Sequence, residues 1–278
     1  MPKINTNINA LTATNALTKN AREQQLTMQK LSTGQRINGA SDDAAGIAIA
    51  TNMSAQITGL NAAIKNANDA MSMLQTADGA LNEQSSLVQR MRELAVLAIN
   101  DTYSTTQKSA MNTEFTALSS QITFIAANTQ WNGLGLLNGS AGGGTGNTSI
   151  MTFQVGANTA QTMTVTVASM GLGGLSLTTA GIGAAASAAS ALPDLDTALT
   201  VINTARATLG ASINRLTHAV DNLSNVAQNT TESRSKVADT DYAQATSDLA
   251  RQQIIQQAGT AMLAQANQMP NMVLALLR

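Results

Sequence analysis

The chain has 278 residues with a formal net charge of −1, contains no cysteine, and carries 2% aromatic and 11% charged residues, against a usual charged share of about 25%. The lack of cysteine excludes a disulfide scaffold, a thiolate nucleophile and a cysteine zinc site, and the near-zero charge gives no field to attract nucleic acid. No run reaches the roughly 18 apolar residues of a spanning helix, so we expect no membrane insertion, and the small polar residues on the helix faces are either simply solvated or suited to contact with other copies.

The first segment, residues 1–40, is predicted to contain a helix over residues 5–33. Its apolar residues lie at near-helical intervals but form only a thin stripe: Ile8, Leu11, Leu26 and Leu31. Packing, rather than propensity, supplies most of the stability of a helix, so this one is marginal when it is alone in water. We therefore expect it to fray until it meets a partner.

Residues 41–127 are dominated by a long predicted helix over residues 45–99, roughly 80 Å in length at about 1.5 Å per residue. Ser41, with Asp42 and Asp43, is expected to supply its N-cap and first-turn acids. Its apolar residues alternate steps of four and three, which is typical of a heptad seam buried along another long helix. The seam contains Ile57, Leu60, Ile64, Ala67, Met71 and Leu74.

A second, shorter helix is predicted to follow a stop at residues 100–103. Ser104 and Gln107 have the spacing of a capping box at its start. The same four-three step then recurs at Met111, Phe115, Leu118, Ile122 and Ile125. This helix should fold back along the first as an antiparallel neighbour.

Residues 128–191 change character and are expected to hold a β-hairpin with no sizeable outer domain. Alternating apolar residues around Met151 and Met163 have the period of half-buried strands, joined through residues 156–161. The Gly-, Ala- and Ser-rich run over residues 171–190 is interpreted as a loose, exposed connection.

The heptad seam returns over residues 192–239, where Pro193 and Asp194 suit the first turn of a helix. This rod matches the first one in length, so antiparallel pairing would bring residues 1–40 and 240–278 to the same end. The last helix, in residues 240–278, carries apolar positions that include Leu249, Met262, Val273 and Leu276. The fold class is therefore mainly α: a long antiparallel, coiled-coil-like helical bundle with a small β-hairpin region.

The sequence offers no convincing catalytic, cofactor or metal site, so we predict that the chain is not an enzyme. His218 is the only histidine, which excludes the two-histidine motifs of zinc peptidases, and it falls on the predicted solvated side of its helix. Asp42 and Asp43 are explained by capping. The glycines at residues 142–146 precede no helix or lysine, so they indicate flexibility and not a phosphate loop.

Motifs at both ends of the chain resemble bacterial flagellin. At the start these are residues 4–7 (INTN), 31–34 (LSTG), 36–38 (RIN) and 42–46 (DDAAG). At the far end they are residues 239–243 (DTDYA), 256–259 (QQAG), 262–267 (MLAQAN) and 274–277 (LALL). The resemblance covers roughly residues 1–140 and 190–278.

The resemblance implies a self-assembling structural subunit of the flagellar filament, in which the terminal helices 1–40 and 240–278 pair to form the filament core. It implies an extracellular location on the bacterial flagellum, reached through the flagellar export apparatus with a dedicated chaperone on the C-terminal segment. The absence of a signal sequence at the start agrees with this route. The implied partners are other copies of the chain, the filament cap protein and the hook-associated junction proteins.

A segment around Gln89 resembles the flagellin surface that vertebrate Toll-like receptor 5 recognises. The resemblance implies contacts by Gln89, Arg90, Leu94 and Glu114. The same patch can also serve subunit packing, and the two roles are compatible. Thr123 and Phe124 stand where the family commonly has a charged pair.

We hypothesise that the terminal helices order only when neighbouring copies cover them, with a set of apolar residues carrying assembly: Ile8, Leu11, Leu31, Leu249, Met262, Val273 and Leu276. A hook-filament junction protein with the same helical ends is the nearest alternative. An enzyme carried on this scaffold is disfavoured, because residues 140–190 contain no His, Lys, Arg or Glu. A secreted coiled-coil translocator would need apolar membrane-entering segments.

Overall fold

The computed structural model describes residues 6–139, 148–178 and 180–276, with the backbone alone described for 270–276. Its helices and strands in chain order are α1 Ile8–Thr33, α2 Ala44–Ile99, α3 Thr105–Asn128, β1 Gln130–Trp131, β2 Leu134–Gly135, β3 Thr148–Gln154, β4 Thr162–Ala168, α4 Ala185–Ala238 and α5 Tyr242–Leu276. The predicted fold class, mainly helical with a small β-hairpin region, is confirmed.

The chain divides into two compact units. The central unit is Thr58–Ala227, and the terminal unit combines Met1–Ile57 with Gln228–Arg278. The long helices α2 and α4 contribute residues to both units.

In the central unit, α2 is antiparallel to both α3 and α4. Asp78 and Arg92 of α2 form ion pairs with Arg206 (2.9 Å) and Asp196 (2.7 Å) of α4, so the partner number falls as the α2 number rises. Gln84 Nε2 donates to the carbonyl oxygen of Ile122 in α3 at 3.2 Å, and Arg90 Nη2 lies 2.9 Å from Glu114 Oε1. The predicted antiparallel second helix is therefore confirmed.

The core of the central unit combines residues of the predicted seams with residues outside them. Its largest fully buried side chains come from all three helices and from the segments around the strands: Leu74, Leu81, Met91, Phe115, Ile122, Leu136, Leu137, Met170, Leu175, Ile182, Leu195 and Ile202. Gln84 is also buried, and its amide nitrogen donates to Met170 O as well as to Ile122 O, both at 3.2 Å. This side chain joins α2 to α3 and to the segment after β4.

Local sequence explains the start of α3 and the two hairpins. The predicted capping box is confirmed, because Ser104 Oγ accepts from Gln107 N while the Gln107 side chain accepts from Ser104 N. Asn132 and Gly133 have positive φ angles of 49° and 82°, as a tight β1–β2 turn requires. Strands β3 and β4 pair antiparallel with Met151 opposite Val165, and both side chains are buried.

The predicted start of α2 is wrong in detail. The helix begins at Ala44, so Asp43 is the residue directly before it, and Asp43 Oδ1 accepts from Gly46 N at 2.8 Å. Asp42 instead accepts from the backbone N–H groups of Asn38 and Gly39 at 3.0 and 3.2 Å, which stabilises the preceding turn. Ser41 is therefore not the N-cap, and no acidic side chain lies in the first turn.

The expected loose connection over residues 171–190 is also wrong for the residues that are described there. Leu175, Leu177 and Ile182 are at most 2% exposed and belong to the core of the central unit. The backbone N–H of Ile182 donates to Asn112 Oδ1 of α3 at 2.9 Å. The high glycine content of this run suggested a loop, although its three aliphatic residues pack in the core.

Helix α4 begins at Ala185, before the expected start at Pro193, which lies inside the helix. Proline lacks the N–H that would bond to the preceding turn, and in a helix interior this loss costs about 3 kcal/mol. Alanine has the highest helix propensity, and Ala188 and Ala191 are 0% and 2% exposed against the core. We attribute the earlier start to this combination of propensity and burial.

Candidate assembly surface

In the terminal unit, α1 and α5 form an antiparallel pair held by amide side chains. Asn7 Nδ2 donates to Ala266 O at 2.7 Å, and Asn20 Nδ2 donates to Gln252 O at 2.9 Å. Gln252 Nε2 in turn donates to Thr27 Oγ1 at 3.1 Å. The partner number on α5 falls as the α1 number rises, so the two helices run in opposite directions.

The side of α1 that faces α5 has heptad spacing but little apolar area. Its buried and half-buried residues are Ala10, Ala13, Leu17, Asn20, Gln24, Thr27, Lys30 and Leu31, and all of them except Lys30 follow steps of three and four. Asn20, at 6% exposed, is the most buried of them. A buried asparagine in a heptad seam specifies register at a cost in stability. We call this contact the polar seam.

Small residues let the two helices approach closely. A Cβ atom added to Gly259 of α5 would lie 2.7 Å from Leu17 Cδ2 of α1, closer than carbon atoms pack. Ala245 and Ala266, each 8% exposed, are the buried residues of α5 among those with described side chains. Close approach of two helices through glycine and alanine leaves few aliphatic groups to remove from water, so the seam gains little hydrophobic stabilisation.

Backbone hydrogen bonds join the segment after α1 to the segment before α5. Gly34 ends α1 in a left-handed conformation, with φ 71°, and its carbonyl oxygen accepts from Thr240 N at 2.9 Å. Arg36 N donates to Ala238 O at 2.7 Å, and its guanidinium donates to Val237 O at 2.6 Å. Glycine is required at this helix end because a side chain there would be strained.

Large apolar side chains of the pair point to solvent. On α1 they are Ile8, Leu11, Leu26 and Met28, and on α5 they are Ile254, Ile255, Met262 and Met269, with exposed fractions between 46% and 65%. Among the terminal-unit residues with described side chains, Ile37 is the large aliphatic residue that is buried, at 5%. Single exposed leucines are normal, but eight large apolar side chains on two adjoining helices indicate an interaction surface. We call these eight residues the outer apolar set.

The predicted assembly residues divide into three groups. Ile8, Leu11 and Met262 belong to the outer apolar set, at 58%, 58% and 65% exposed. Leu31 and Leu249 are half-buried. The side chains of Val273 and Leu276 lie outside the described residues.

Two family models match most of the chain. Residues 4–142 match the bacterial flagellin N-terminal helical region, and residues 192–277 match the bacterial flagellin C-terminal helical region. The chain belongs to the flagellin family.

Whole-length relatives agree with this assignment. This flagellin is 40% identical over 277 residues to a flagellin of Halalkalibacterium halodurans, covering 99% of each chain. It is 38% identical over 284 residues to the flagellar filament 33 kDa core protein of Treponema phagedenis, again covering 99% of each chain. A solved structure of a putative flagellar hook-associated protein from Vibrio parahaemolyticus matches 71% of this chain and 100% of its own, with a TM-score of 0.59 and 15% identity. At that identity, the likeness shows the fold alone.

The predicted receptor-recognition residues of this flagellin lie in the central unit and differ in exposure. Gln89, Arg90 and Glu114 are exposed, and Arg90 pairs with Glu114 across α2 and α3 at 2.9 Å. Leu94 is 3% exposed and belongs to the core. Its side chain therefore offers almost no surface in the structure, and its role as a receptor contact stays a prediction. Its helical spacing from Met91 and Ala98, both 0% exposed, already indicated burial.

Ion pairs offset most of the charge of this patch. Arg90 also contacts Glu93 at 2.7 Å, and hydrogen bonds to Glu114 and then Glu93 raise the pKa of Arg90 above its ordinary value. Arg92 bonds to Asp196 at 2.7 Å, which raises the pKa of Arg92 in the same way. A shallow concavity of about 400 Å³ beside them is lined by Gln89, Arg92, Glu93, Val96 and Leu97. Gln89, Arg92, Glu93 and Val96 are exposed, and Leu97 is half-buried.

The other candidates from the sequence do not form a site. His218 is exposed on α4, as predicted. Asp43 caps α2 and Asp42 stabilises the preceding turn, and the described residues contain no group of three or more His, Cys, Asp or Glu side chains that could hold a metal ion. The glycines at 142–146 lie outside the described residues. In the described part of the chain, no helix is long and apolar enough to cross a membrane.

Sequence reasoning missed part of the assembly surface. It omitted Ile254, Ile255 and Met269 from the predicted assembly residues, although Ile255, Met262 and Met269 follow one another at intervals of seven. The polar seam was not predicted either, because the predicted heptads are defined by apolar residues only. The three-four spacing of Asn20, Gln24 and Thr27 was the available signal.

Proposed function

We propose that this flagellin is a structural subunit of the bacterial flagellar filament whose terminal helices α1 and α5 become stably ordered when other copies cover them. The observation that carries the proposal is the outer apolar set, which is exposed beside a polar seam. The seam alone provides little hydrophobic stabilisation, whereas covering the exposed half of each of these large apolar side chains contributes about 0.7–1.5 kcal/mol. Polymerisation therefore supplies the stability that the isolated pair lacks.

The magnitudes support coupled ordering. Fixing a residue costs about 1–2 kcal/mol in backbone entropy, so two helices of 26 and 35 residues need extensive burial to remain ordered. The buried side chains of the pair are small or polar and cannot offset that cost. Contacts with neighbouring copies add apolar burial by covering the outer apolar set, so the order of the pair should increase on polymerisation.

Amide hydrogen exchange on the unpolymerised chain and on the filament tests the proposal. We expect α1 and α5 to exchange fast in the unpolymerised chain and to become protected in the filament. The core segments of α2, α3 and α4 should be protected in both forms and serve as the internal reference. Equal protection of α1 in both forms would contradict coupled ordering.

No specific observation favours the hook-filament junction role. The likeness to a hook-associated protein is a likeness of fold at 15% identity, whereas the whole-length relatives are a flagellin and a filament core protein. Elongation on filament seeds separates the two roles. A filament subunit lengthens the seeds, and a junction protein binds to their ends without further growth.

The wider setting of this function is part of the same proposal. The subunit is non-catalytic, is exported through the flagellar export apparatus with a chaperone on its C-terminal segment, and acts outside the cell in contact with cap and hook-associated proteins. The exposed apolar side chains of α5 support a need for a chaperone, because they would otherwise promote premature association. Co-purification of a small partner with the wild-type chain, but not with a Met262→Gln/Met269→Gln variant, tests this point.

We also propose that Gln89, Arg90 and Glu114 contact vertebrate Toll-like receptor 5. Their joint exposure, and the neutral ion-paired patch that they form, support the proposal. Arg90→Ala should reduce receptor signalling in a reporter cell assay while leaving the central unit folded, because surface ion pairs contribute only about 0–1 kcal/mol. Lys236→Ala, which removes an exposed ion pair outside this patch, is the control.

A further inference from the structure

The methionines of this chain are sorted by exposure. In the central unit, every methionine is buried or half-buried: Met71, Met73, Met91, Met111, Met151, Met163 and Met170. The exposed methionines with described side chains are Met28, Met262 and Met269, at 54%, 65% and 50%. All three lie on α1 or α5. Accessible thioethers are therefore confined to the helices that we propose become covered on polymerisation.

Met262 and Met269 belong to one stripe of α5. They are seven residues apart, and Ile255, 48% exposed, precedes them by the same interval. Residues at this interval lie on nearly the same side of a helix, about 10 Å apart along its axis. The two methionines line a groove of about 380 Å³ together with small α1 residues that include Ala13 and Ala16. An apolar side chain of a neighbouring copy would meet both sulfur atoms here.

Thioether sulfur is open to two-electron oxidation. A lone pair of the sulfur atom attacks one oxygen of hydrogen peroxide, the O–O bond breaks and an S–O bond forms. The proton on the transferred oxygen passes to the departing hydroxide, which leaves as water. The product, methionine sulfoxide, is a polar and chiral side chain, and reductase enzymes convert it back to methionine. Oxidation thus replaces a flexible apolar group by a strong hydrogen-bond acceptor.

We propose that Met262 and Met269 form an oxidation site that controls polymerisation. A peroxide oxidises both sulfur atoms while the chain is unpolymerised, and the resulting sulfoxides oppose burial of α5 against a neighbouring copy. Within the filament the same sulfur atoms are covered and protected. This inference rests on the proposed function, because it assigns a regulation to the surface on which that function depends.

The test begins with limited treatment of the unpolymerised full-length chain with hydrogen peroxide, followed by peptide mass spectrometry. We expect Met262 and Met269 to gain oxygen while Met73 and Met91, 6% and 0% exposed, remain unmodified. The critical concentration for elongation on filament seeds should rise about tenfold per sulfoxide, since an unpaired polar group is buried. Treatment with a methionine sulfoxide reductase should reverse the rise, and preformed filaments should resist oxidation at both positions.

A Met262→Leu/Met269→Leu variant is the matched control. Leucine is close to methionine in volume and cannot be oxidised, so the variant should elongate seeds equally well before and after peroxide. It retains Met28 and the other methionines, so any remaining loss after peroxide measures their joint contribution. If the variant loses elongation as much as the wild type, the assignment to Met262 and Met269 is overturned.

The remaining outcomes are also decisive. Doubly oxidised wild-type chain that elongates at an unchanged critical concentration would overturn the proposal, as would equal oxidation of both residues in filaments and in free chains. Untreated wild-type chain that cannot elongate seeds would overturn the proposed function itself and this inference with it. The comparison of treated with untreated chain therefore distinguishes the two failures.

Discussion

The central and terminal units use the same heptad spacing with opposite chemistry. In the central unit, seam positions of α2, α3 and α4 carry leucine, isoleucine, methionine and phenylalanine, and these side chains are buried within the chain. In the α1–α5 pair, the positions between the helices carry mostly amide, hydroxyl and small side chains with half-buried leucines such as Leu17 and Leu31, while the outer apolar set is exposed. The comparison teaches that spacing decides which helices pair, whereas the chemistry of the seam decides whether the pair is stable by itself.

The largest expected effect comes from breaking the central core. Phe115→Ala removes a side chain that is 1% exposed, so the free energy of unfolding of the central unit should fall by about 3–5 kcal/mol. Phe124→Ala on the same helix is the matched control, because Phe124 is 61% exposed and its loss should change stability by less than about 0.5 kcal/mol. Denaturant unfolding followed by circular dichroism measures both. Equal losses would mean that α3 does not face the core as described.

A second substitution removes an exposed apolar side chain of the terminal unit and leaves the buried residues unchanged. Leu11→Ala keeps helix propensity but removes a side chain that is 58% exposed, so the thermal midpoint of the unpolymerised chain should not change. The critical concentration for elongation should rise about 30-fold, equivalent to about 2 kcal/mol of lost burial per subunit.

Leu134→Ala provides the matched leucine in the central unit, at 53% exposed. We expect it to leave elongation nearly unchanged. If both variants weaken elongation equally, exposed apolar area anywhere on the chain would drive assembly, and the contrast between the two units would be wrong.

The regular parts of both units could be predicted from sequence because they depend on local signals. The seam around Leu60 and Leu74, the capping box at Ser104 and the pairing of the strands that contain Met151 and Val165 all follow from spacing or cap chemistry. Each signal spans only a few residues, and tertiary packing reinforces it. These predictions are confirmed.

Other parts could not be predicted because distant contacts outweigh local composition. Leu175 and Ile182 lie in a glycine-rich run whose composition favours a loop, yet the core of the central unit buries both. Pro193 is a normal start for a helix, but buried Ala188 favours an earlier one. Leu94 was expected to be a receptor contact because of the family resemblance. A resemblance in sequence does not say whether a side chain is buried.

A third substitution sharpens the comparison by giving the terminal pair a seam like that of the central unit. Asn20→Leu replaces a buried amide with an aliphatic side chain at a heptad position, and Gln252 O remains in its helix as an acceptor of backbone hydrogen bonds. The pair should gain about 1–2 kcal/mol, so α1 should become protected from hydrogen exchange in the unpolymerised chain. Asn15→Leu, an exposed position of the same helix, should leave that protection unchanged. If both variants protect α1 equally, then added hydrophobicity anywhere on the helix stabilises α1, and the polar residues of the seam are not the cause of its low stability.

The smallest expected effect concerns the backbone of the central unit. Gly79 lies inside α2 with no atom within 4 Å of an added Cβ, so Gly79→Ala should raise the free energy of unfolding by about 0.5–1 kcal/mol through a lower entropy of the unfolded chain. Gly59 lies in the same helix, but a Cβ there would be 3.0 Å from Ala157 Cβ in the β3–β4 turn. Gly59→Ala should therefore give no gain, because the contact with the turn offsets the same entropic benefit. Thermal unfolding of both variants measures the difference, and an equal gain at the two positions would place the hairpin turn farther from α2 than the structure has it.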